Sequence, residues 1–374
     1  MDISIIGGGI TGLTTALALH KSGVASKVYE QAASLNEIGA GVWLQPNAVQ
    51  ILHWLGLKEA VLNKGCALDK MEITYPNLKP IKKIRKAVVE DQYGNQTIAI
   101  HRGKLQRILY EKCEQLQMVA LGEPYIDHQN DEGKVQLQFK NKSIPADIVL
   151  GADGIKSRVR KAMGLPTEFR QTRQICCRGI VNITLPNHLK RVGKEVWGDK
   201  RRFGFSQLSP DSVYFFIVLN REICPKEFSK PSLSALFKDF DPIIAKIIEA
   251  SGDMHRTELI DLKRLDTWYN SNACLLGDAA HATTPNMGQG ACQGIEDAFY
   301  ISRYLKEADS PQDAFKAFEI QRRKKVDYVV NNSWNFGRMV HNRAGQMLLK
   351  AMMKITPEKI VDKQMNMLYA VDGL

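Results

Sequence analysis

An α/β fold, interrupted by a mostly antiparallel β-rich insertion and ending in helices, is predicted by three observations on this 374-residue chain. An apolar strand, a glycine-rich turn and an amphipathic helix open the sequence. Two later stretches, "ADIVLGADG" and "ACLLGDAAH", again run from a buried strand into bare backbone. Between those two, residues 174–265 are dominated by strand-like runs.

The elements follow in order. Ile3–Ile6 is a short strand, "GGGITGLTTALALHKSG" turns into a helix that stops at Gly23, and Lys27–Glu30 is a second strand, which completes one βαβ unit. A helix is expected from Pro46 to Leu55, with proline in its first turn and Gly56 beyond its end. From Met71 to about Ile100, short alternating stretches predict strands outside the first sheet. "RGKLQRILYEKCEQL" reads as a helix, and "YIDHQNDEGKVQLQF" as a hairpin turning at Asn130–Gly133. Strands over "CCRGIVNITL", "RRFGFSQL" and "DSVYFFIVL" build the insertion, with helical runs near 232–239 and 242–250. From Asp313 the tail is helical throughout.

Composition narrows the function classes. With 44% hydrophobic and 24% charged residues the chain is neither disordered nor a membrane bundle. No apolar run approaches the ~20 residues of a membrane span. The start goes straight into a strand, so no signal peptide is expected. The seven cysteines are scattered without a CxxC, which predicts a reducing cytoplasm, no metal site and no disulfide framework. The net charge of +11 is spread along the chain, and "QRRKKVD" at 321–327 reads as a solvated helix face. A basic enzyme that recruits anionic ligands fits better than a nucleic-acid binder.

Gly7, Gly9 and Gly12 form a GxGxxG between a strand and a helix. The first permits the tight turn, the second lets backbone approach a pyrophosphate, and the third lets helix and strand pack closely. Phosphates would face the helix N-terminus. Glu30 closes the next strand, where a carboxylate accepts from ribose hydroxyls. An ADP-containing cofactor is therefore expected at this end of the chain.

Two further stretches decide which one. "GADGIKSRVR" carries Asp153, Gly154, Ser157 and Arg160, and "LLGDAAHATTPNMGQGA" carries Gly277 and Asp278. In this order and combination they resemble the group A FAD-dependent aromatic hydroxylases, the family of p-hydroxybenzoate, salicylate and urate hydroxylases. "RRFGFSQLSPDSVYFFI" is similar to that family's substrate domain, and the resemblance runs to about residue 340. It implies a Rossmann-like FAD-binding domain made of residues 1–70, 99–170 and 266–330. A mostly antiparallel β-sheet substrate domain (71–98 and 171–265) is inserted in it, and C-terminal helices occupy 331–374.

By the resemblance, Asp278 holds the ribityl chain of FAD and Gly277 clears the approach. Pro285 lies beside the isoalloxazine ring, and Gly288, Gln289 and Gly290 offer amides to its negative edge. Arg102 in "IHRGKL" sits near the FAD phosphates, a surface arginine at a helix start being the alternative. Asp153 is tied to the pyrophosphate and to NAD(P)H use; Arg160 serves the nicotinamide cofactor or lies on a helix surface, and Ser157 is structural. His281 reads as a packed, hydrogen-bonded residue at least as readily as a general base, and Cys292 as small-residue packing.

The implied activity is an NAD(P)H-using monooxygenation of an aromatic or heteroaromatic small molecule through a flavin C4a-hydroperoxide. In the insertion, Phe203 with Phe205 and Tyr214 with Phe216 share a face pairwise and are candidate pocket walls. Arg178 is placed to orient an anionic or phenolate group. The alternatives are inactivation of a bulky polycyclic compound such as a tetracycline, or a non-catalytic FAD-binding protein. A halogenase WxWxIP and a redox CxxC are both missing from the sequence. Trp334, Met339, Met347, Leu348, Met352 and Met353 recur near helical spacing and read as core packing, a lid, or a membrane-touching face without stable insertion. Substrate identity, NADH against NADPH, and oligomeric state are left open.

Overall fold

The computed structural model describes residues 1–35, 40–83, 96–131 and 133–374. Its centre is a sheet of strands in the spatial order Tyr269–Asn270, Ala273–Leu275, Ile148–Gly151, Ile3–Ile6, Ser26–Tyr29 and Val119–Ala120. The last five run parallel, with Ile5 level with both Leu150 and Val28. Ile3–Ile6 and Ile148–Gly151 are buried at every position, as strands covered on both faces must be. Helices Ile10–Lys21, Arg102–Gln115 and Gly290–Glu307 pack together beside the sheet. The hairpin predicted over 125–139 forms from Tyr125–Asp131 and Lys134–Phe139, joined by Ser143–Ala146. Residue 132 of its turn lies outside the described residues.

A second sheet of seven strands has the order His255–Leu262, Phe169–Val181, Ser212–Asn220, Arg201–Ser209, Val192–Gly198, Lys70–Thr74, Pro80–Lys83. It is antiparallel except where Val192–Gly198 runs beside Lys70–Thr74. Thus part of the predicted Met71–Ile100 region joins this sheet; 84–95 lie outside the described residues, and Thr97–His101 instead pairs with Gly41–Leu44 and Gly65–Leu68. The strand Val192–Gly198 escaped the sequence reading because it lacks simple alternation, being buried at nearly every position.

One face of the seven-stranded sheet is covered by helices Lys230–Leu236 and Pro242–Ala250. Ile243, Ile244, Ile247 and Ile248 of the second bury there beside Phe203, Phe205, Phe215 and Phe237. The other face is turned to a cavity. The tail forms three helices, Pro311–Val340, Arg343–Ile355 and Glu358–Tyr369.

The basic run 321–327 is not a solvated face. Arg322 is 1% exposed and holds a buried charge cluster: its Nε donates to Asp297 Oδ1 (2.8 Å), one terminal nitrogen to Glu296, and the other to Gln293 Oε1 (2.6 Å). Lys325 Nζ lies 2.8 Å from Glu296, and His281 Nε2 2.7 Å from Asp297 Oδ2. The same Oδ2 accepts from the Gly277 amide at 2.8 Å. Burial pushes the Asp297 carboxyl up, but His281 and Arg322 outweigh it and hold it down at about 2.

Candidate active site

Four signals far apart in sequence meet because four neighbouring parallel strands end at the same edge. Ile3–Ile6 delivers Gly7, Ser26–Tyr29 delivers Glu30, Ile148–Gly151 delivers Asp153, and Ala273–Leu275 delivers Gly277 and Asp278. Ligands of open α/β sheets bind at the carboxyl ends of the strands. Here that edge is the floor of a cavity of ≈ 1590 Å³ whose lining includes Gly7, Gly9, Glu30, Arg102, Asp153 and Asp278. Single-ligand pockets hold roughly 300–1,000 Å³, so the space suits a dinucleotide together with a small molecule.

The opening turn requires its glycines. Gly7 has φ +112°, and a Cβ there would meet the Ala152 carbonyl oxygen at 2.6 Å; a Cβ on Gly12 would meet that of Gly7 at 2.0 Å. Gly9 faces open space instead, where a ligand can approach the backbone. The Glu30 carboxylate is fixed by two amides, from Gly8 (2.7 Å) and Ala32 (2.8 Å), with acceptor capacity left toward the cavity. Gly8, not singled out by the GxGxxG reading, thus orients Glu30 together with Ala32. Asp153 Oδ2 accepts from the Arg158 amide at 2.7 Å, while its Oδ1 is buried without a partner among the described residues. Asp278 faces the cavity, and no hydrogen bond to it is found among the described residues. The surrounding walls push its carboxyl up, against the pull of His281 and Arg102. Glu30 and Asp278, carboxylates with unused acceptor capacity on the cavity beside bare backbone, fit the hydroxyls of a sugar or polyol chain.

Gly277 has a different task from the one expected. Its φ is +56°, and an added Cβ would strike Thr11 Oγ1 at 2.6 Å, so the missing side chain admits the first helix and not a ligand. Pro285, Gly288 and Gly290 line the cavity, but the Gly288 amide is engaged by the Pro285 carbonyl at 2.9 Å. The free amides are those of the first turn of Gly290–Glu307. The Gln289 side chain is buried, donating to Gln45 Oε1 (2.5 Å) and accepting from Asn47 (3.1 Å) and Gln293 (2.8 Å). This ties the glycine loop to the helix Pro46–Trp54.

Arg160 cannot meet a second cofactor at the surface. It is fully buried, donating to the carbonyls of Ala279 (2.8 Å) and Ile155 (2.7 Å), because the Ser157-capped helix Arg158–Ala162 turns it inward. His281 is likewise structural: besides Asp297 it packs on Trp268, with ring centroids 5.1 Å apart. Cys292 is fully buried, and its thiol is pushed up to about 12 by burial.

The far wall comes from the seven-stranded sheet. Arg178 stands directly opposite Phe216, and both line the cavity with Tyr214. Phe203 and Phe205 do not line it. Phe203 pairs with Ile217 and Phe205 with Phe215, so they share the helix-covered face, where Phe203 stacks on Phe215 at 5.8 Å. The residues on the cavity face of that strand are Arg202, Gly204 and Ser206. Trp43, which the sequence reading missed, completes the wall. It meets the rings of Phe216 at 5.7 Å and Tyr214 at 6.4 Å edge-on, and its Nε1 donates to Ser206 Oγ at 2.8 Å. Its signal was "GVWLQPN", a strand leading into a proline-started helix. Arg202 reaches Glu195 (2.9 Å) and Asn286 (2.5 Å), which joins the wall to the Pro285 loop. Met339, Leu349, Met352 and Leu368 of the C-terminal helices add an apolar side.

Gly204 is the weak point of this wall. A Cβ there would lie 2.1 Å from the Phe216 ring. Gly204→Val is expected to push that ring into the cavity. Titration should then show FAD affinity like the parent's and weakened aromatic-ligand binding; unchanged ligand binding would remove Phe216 from the pocket.

Residues 1–333 match the FAD binding domain family. The chain belongs to the FAD-dependent aromatic hydroxylase family. Over 346 residues, 91% of this flavoprotein and 89% of the relative, it is 30% identical to the aurachin C monooxygenase/isomerase of Stigmatella aurantiaca. It is 28% identical over 350 residues to the 2-heptyl-3-hydroxy-4(1H)-quinolone synthase of Pseudomonas aeruginosa, covering 91% and 89%. Klebsiella pneumoniae HpxO complexed with FAD and uric acid shares the flavoprotein's fold, with a TM-score of 0.88 at 23% identity over 99% of this chain and 96% of that one. FAD is therefore its cofactor, and the α/β fold class holds. No described helix is long and apolar enough to cross a membrane.

Proposed function

We propose that this flavoprotein is an NAD(P)H-dependent monooxygenase that hydroxylates an aromatic or heteroaromatic small molecule. The observation that carries the reading is the continuity of one cavity, from Glu30 and the Gly7–Gly12 turn, past Asp278 and Gly290, to Arg178 and Phe216. In this reading Glu30 accepts from the ribose hydroxyls, Asp278 from the ribityl chain, and Asp153 and Arg102 flank the phosphates. The amides opening Gly290–Glu307, with the helix dipole, favour negative charge at the flavin edge. When bound, the flavin supplies the activation of dioxygen and the oxygen transfer.

The protein's own part is positioning and exclusion of water. Arg178 is a charged donor for a phenolate, carboxylate or ring carbonyl. Trp43, Tyr214 and Phe216 enclose a planar ring. Burial pushes the Tyr214 phenol up, which keeps it protonated and able to donate. The methionine- and leucine-lined side would accept an aliphatic substituent such as the heptyl group named in the Pseudomonas relative.

FAD takes the GxGxxG, so NAD(P)H has to approach without a Rossmann site of its own, and substrate-gated reduction limits wasteful turnover. Stopped-flow reduction by NAD(P)H should be slow alone and much faster with a good substrate. Equal rates with a compound that is demonstrably hydroxylated would rule out the gate.

A further inference from the structure

The helix Arg343–Ile355 is attached along a narrow stripe. Gln346 is its buried residue, donating to the carbonyls of Gly198 (2.7 Å) and Val340 (2.6 Å), and Leu349 and Met353 pack beside Trp197 and Phe336. At 3.6 residues per turn, Met347, Leu348, Ala351, Met352 and Ile355 share the opposite arc. Met347 is 67% exposed, Leu348 55%, Met352 47% and Ile355 78%. A stripe this broad ordinarily faces a core; here it faces outward. Ile360, 49% exposed on the next helix, adds to the apolar surface of this region.

The flank of the apolar arc is basic. Arg343 and Lys354, both exposed, follow one edge, Lys350 being turned inward to Gln346 Oε1 and the Tyr75 ring, and Lys359 and Lys363 come from the next helix, against Glu358 and Asp362 as the acids of this stretch. The whole chain carries +11. An isologous contact with a second copy would bring these lysines toward their own kind. An anionic surface would complement them.

We propose that this face docks on an anionic lipid bilayer. Met347, Leu348 and Ile355 enter the acyl boundary while Lys354 and Arg343 reach lipid phosphates. The helix lies in the interface and does not cross it. Met352 belongs both to the outer arc and to the cavity lining, and Leu349 lines the cavity from the inner side. Docking thus sets a wall of the cavity against the bilayer, from which an apolar substrate can enter.

The test is co-sedimentation of the FAD-loaded full chain with vesicles of phosphatidylcholine, with and without phosphatidylglycerol. The parent should sediment with the mixed vesicles and be released by salt. Leu348→Glu/Ile355→Glu should lower the partition coefficient by about tenfold or more, the apolar area of two large side chains being lost to water, with FAD content unchanged. Lys354→Gln should lower it by about fivefold. A parent that stays in the supernatant with both vesicles would overturn the proposal. So would a double variant that binds like the parent. A parent dimer, measured by light scattering and dissociated by the double variant, would assign the face to a second copy instead.

Discussion

Replacing Arg322 with leucine is expected to destabilise the FAD-saturated protein by about 3–5 kcal/mol. The substitution leaves Glu296 and Asp297, both fully buried, without the guanidinium that bonds them. Unpaired buried charges cost far more than the pair itself contributes. Lys325 and His281 still touch the two carboxylates, so the loss falls short of unfolding the chain outright. Urea unfolding measures it, and a shift under about 1 kcal/mol would show that the cluster relaxes or admits water. The same cluster makes the fold acid-sensitive in a defined window. Asp297 sits at about 2 in the folded protein and near 4 when unfolded. A depressed carboxyl contributes stability that is fully present above pH ~4 and lost as pH falls toward ~2, on the order of 2 kcal/mol for this group. Asp297→Asn should flatten that part of the stability profile.

Asp278→Ala should raise the FAD dissociation constant about tenfold or more, because a hydrogen bond to a charged group contributes roughly 1.5–3 kcal/mol. Glu30→Ala should act in the same direction and also release the amides of Gly8 and Ala32, which loosens the turn over the phosphates. The two carboxylates are delivered by different strands, so their effects should be close to additive. Flavin fluorescence titration separates the variants from the parent. If both hold FAD as tightly as the parent does, the two carboxylates do not carry the cofactor.

The glycine-rich end of the candidate site was legible because it is written in backbone. A strand followed by glycines and an acid keeps its meaning wherever the rest of the chain goes, and the three such signals converge once their strands are parallel neighbours. The far wall was legible only in part. Parity within a strand gives which residues share a face, but not which face, since register with the partner strand decides that; Phe203 and Phe205 went to the helix side for this reason. Arg160 read as a ligand of the nicotinamide cofactor or a helix-surface arginine, and Arg322 as part of a solvated face, because charge predicts exposure unless a buried partner is known. Their partners, the Ala279 carbonyl and the Glu296–Asp297 pair, are distant in sequence. Gly277 was assigned to the ligand because nothing in the sequence shows Thr11 packed against it.

In the proposed reaction, oxygen from dioxygen enters an aromatic ring held between the flavin and the Arg178 wall. The measurement is product mass under isotope-labelled dioxygen. Aromatic and heteroaromatic compounds, including 4-quinolones with and without an alkyl chain, are supplied with NADH or NADPH to the FAD-loaded protein. The predicted result is a compound that stimulates NAD(P)H oxidation and gains one labelled oxygen atom in step with it, an effect that Gly204→Val diminishes. Stimulated oxidation that yields only hydrogen peroxide across the whole panel, or a product whose new oxygen comes from water, would contradict it.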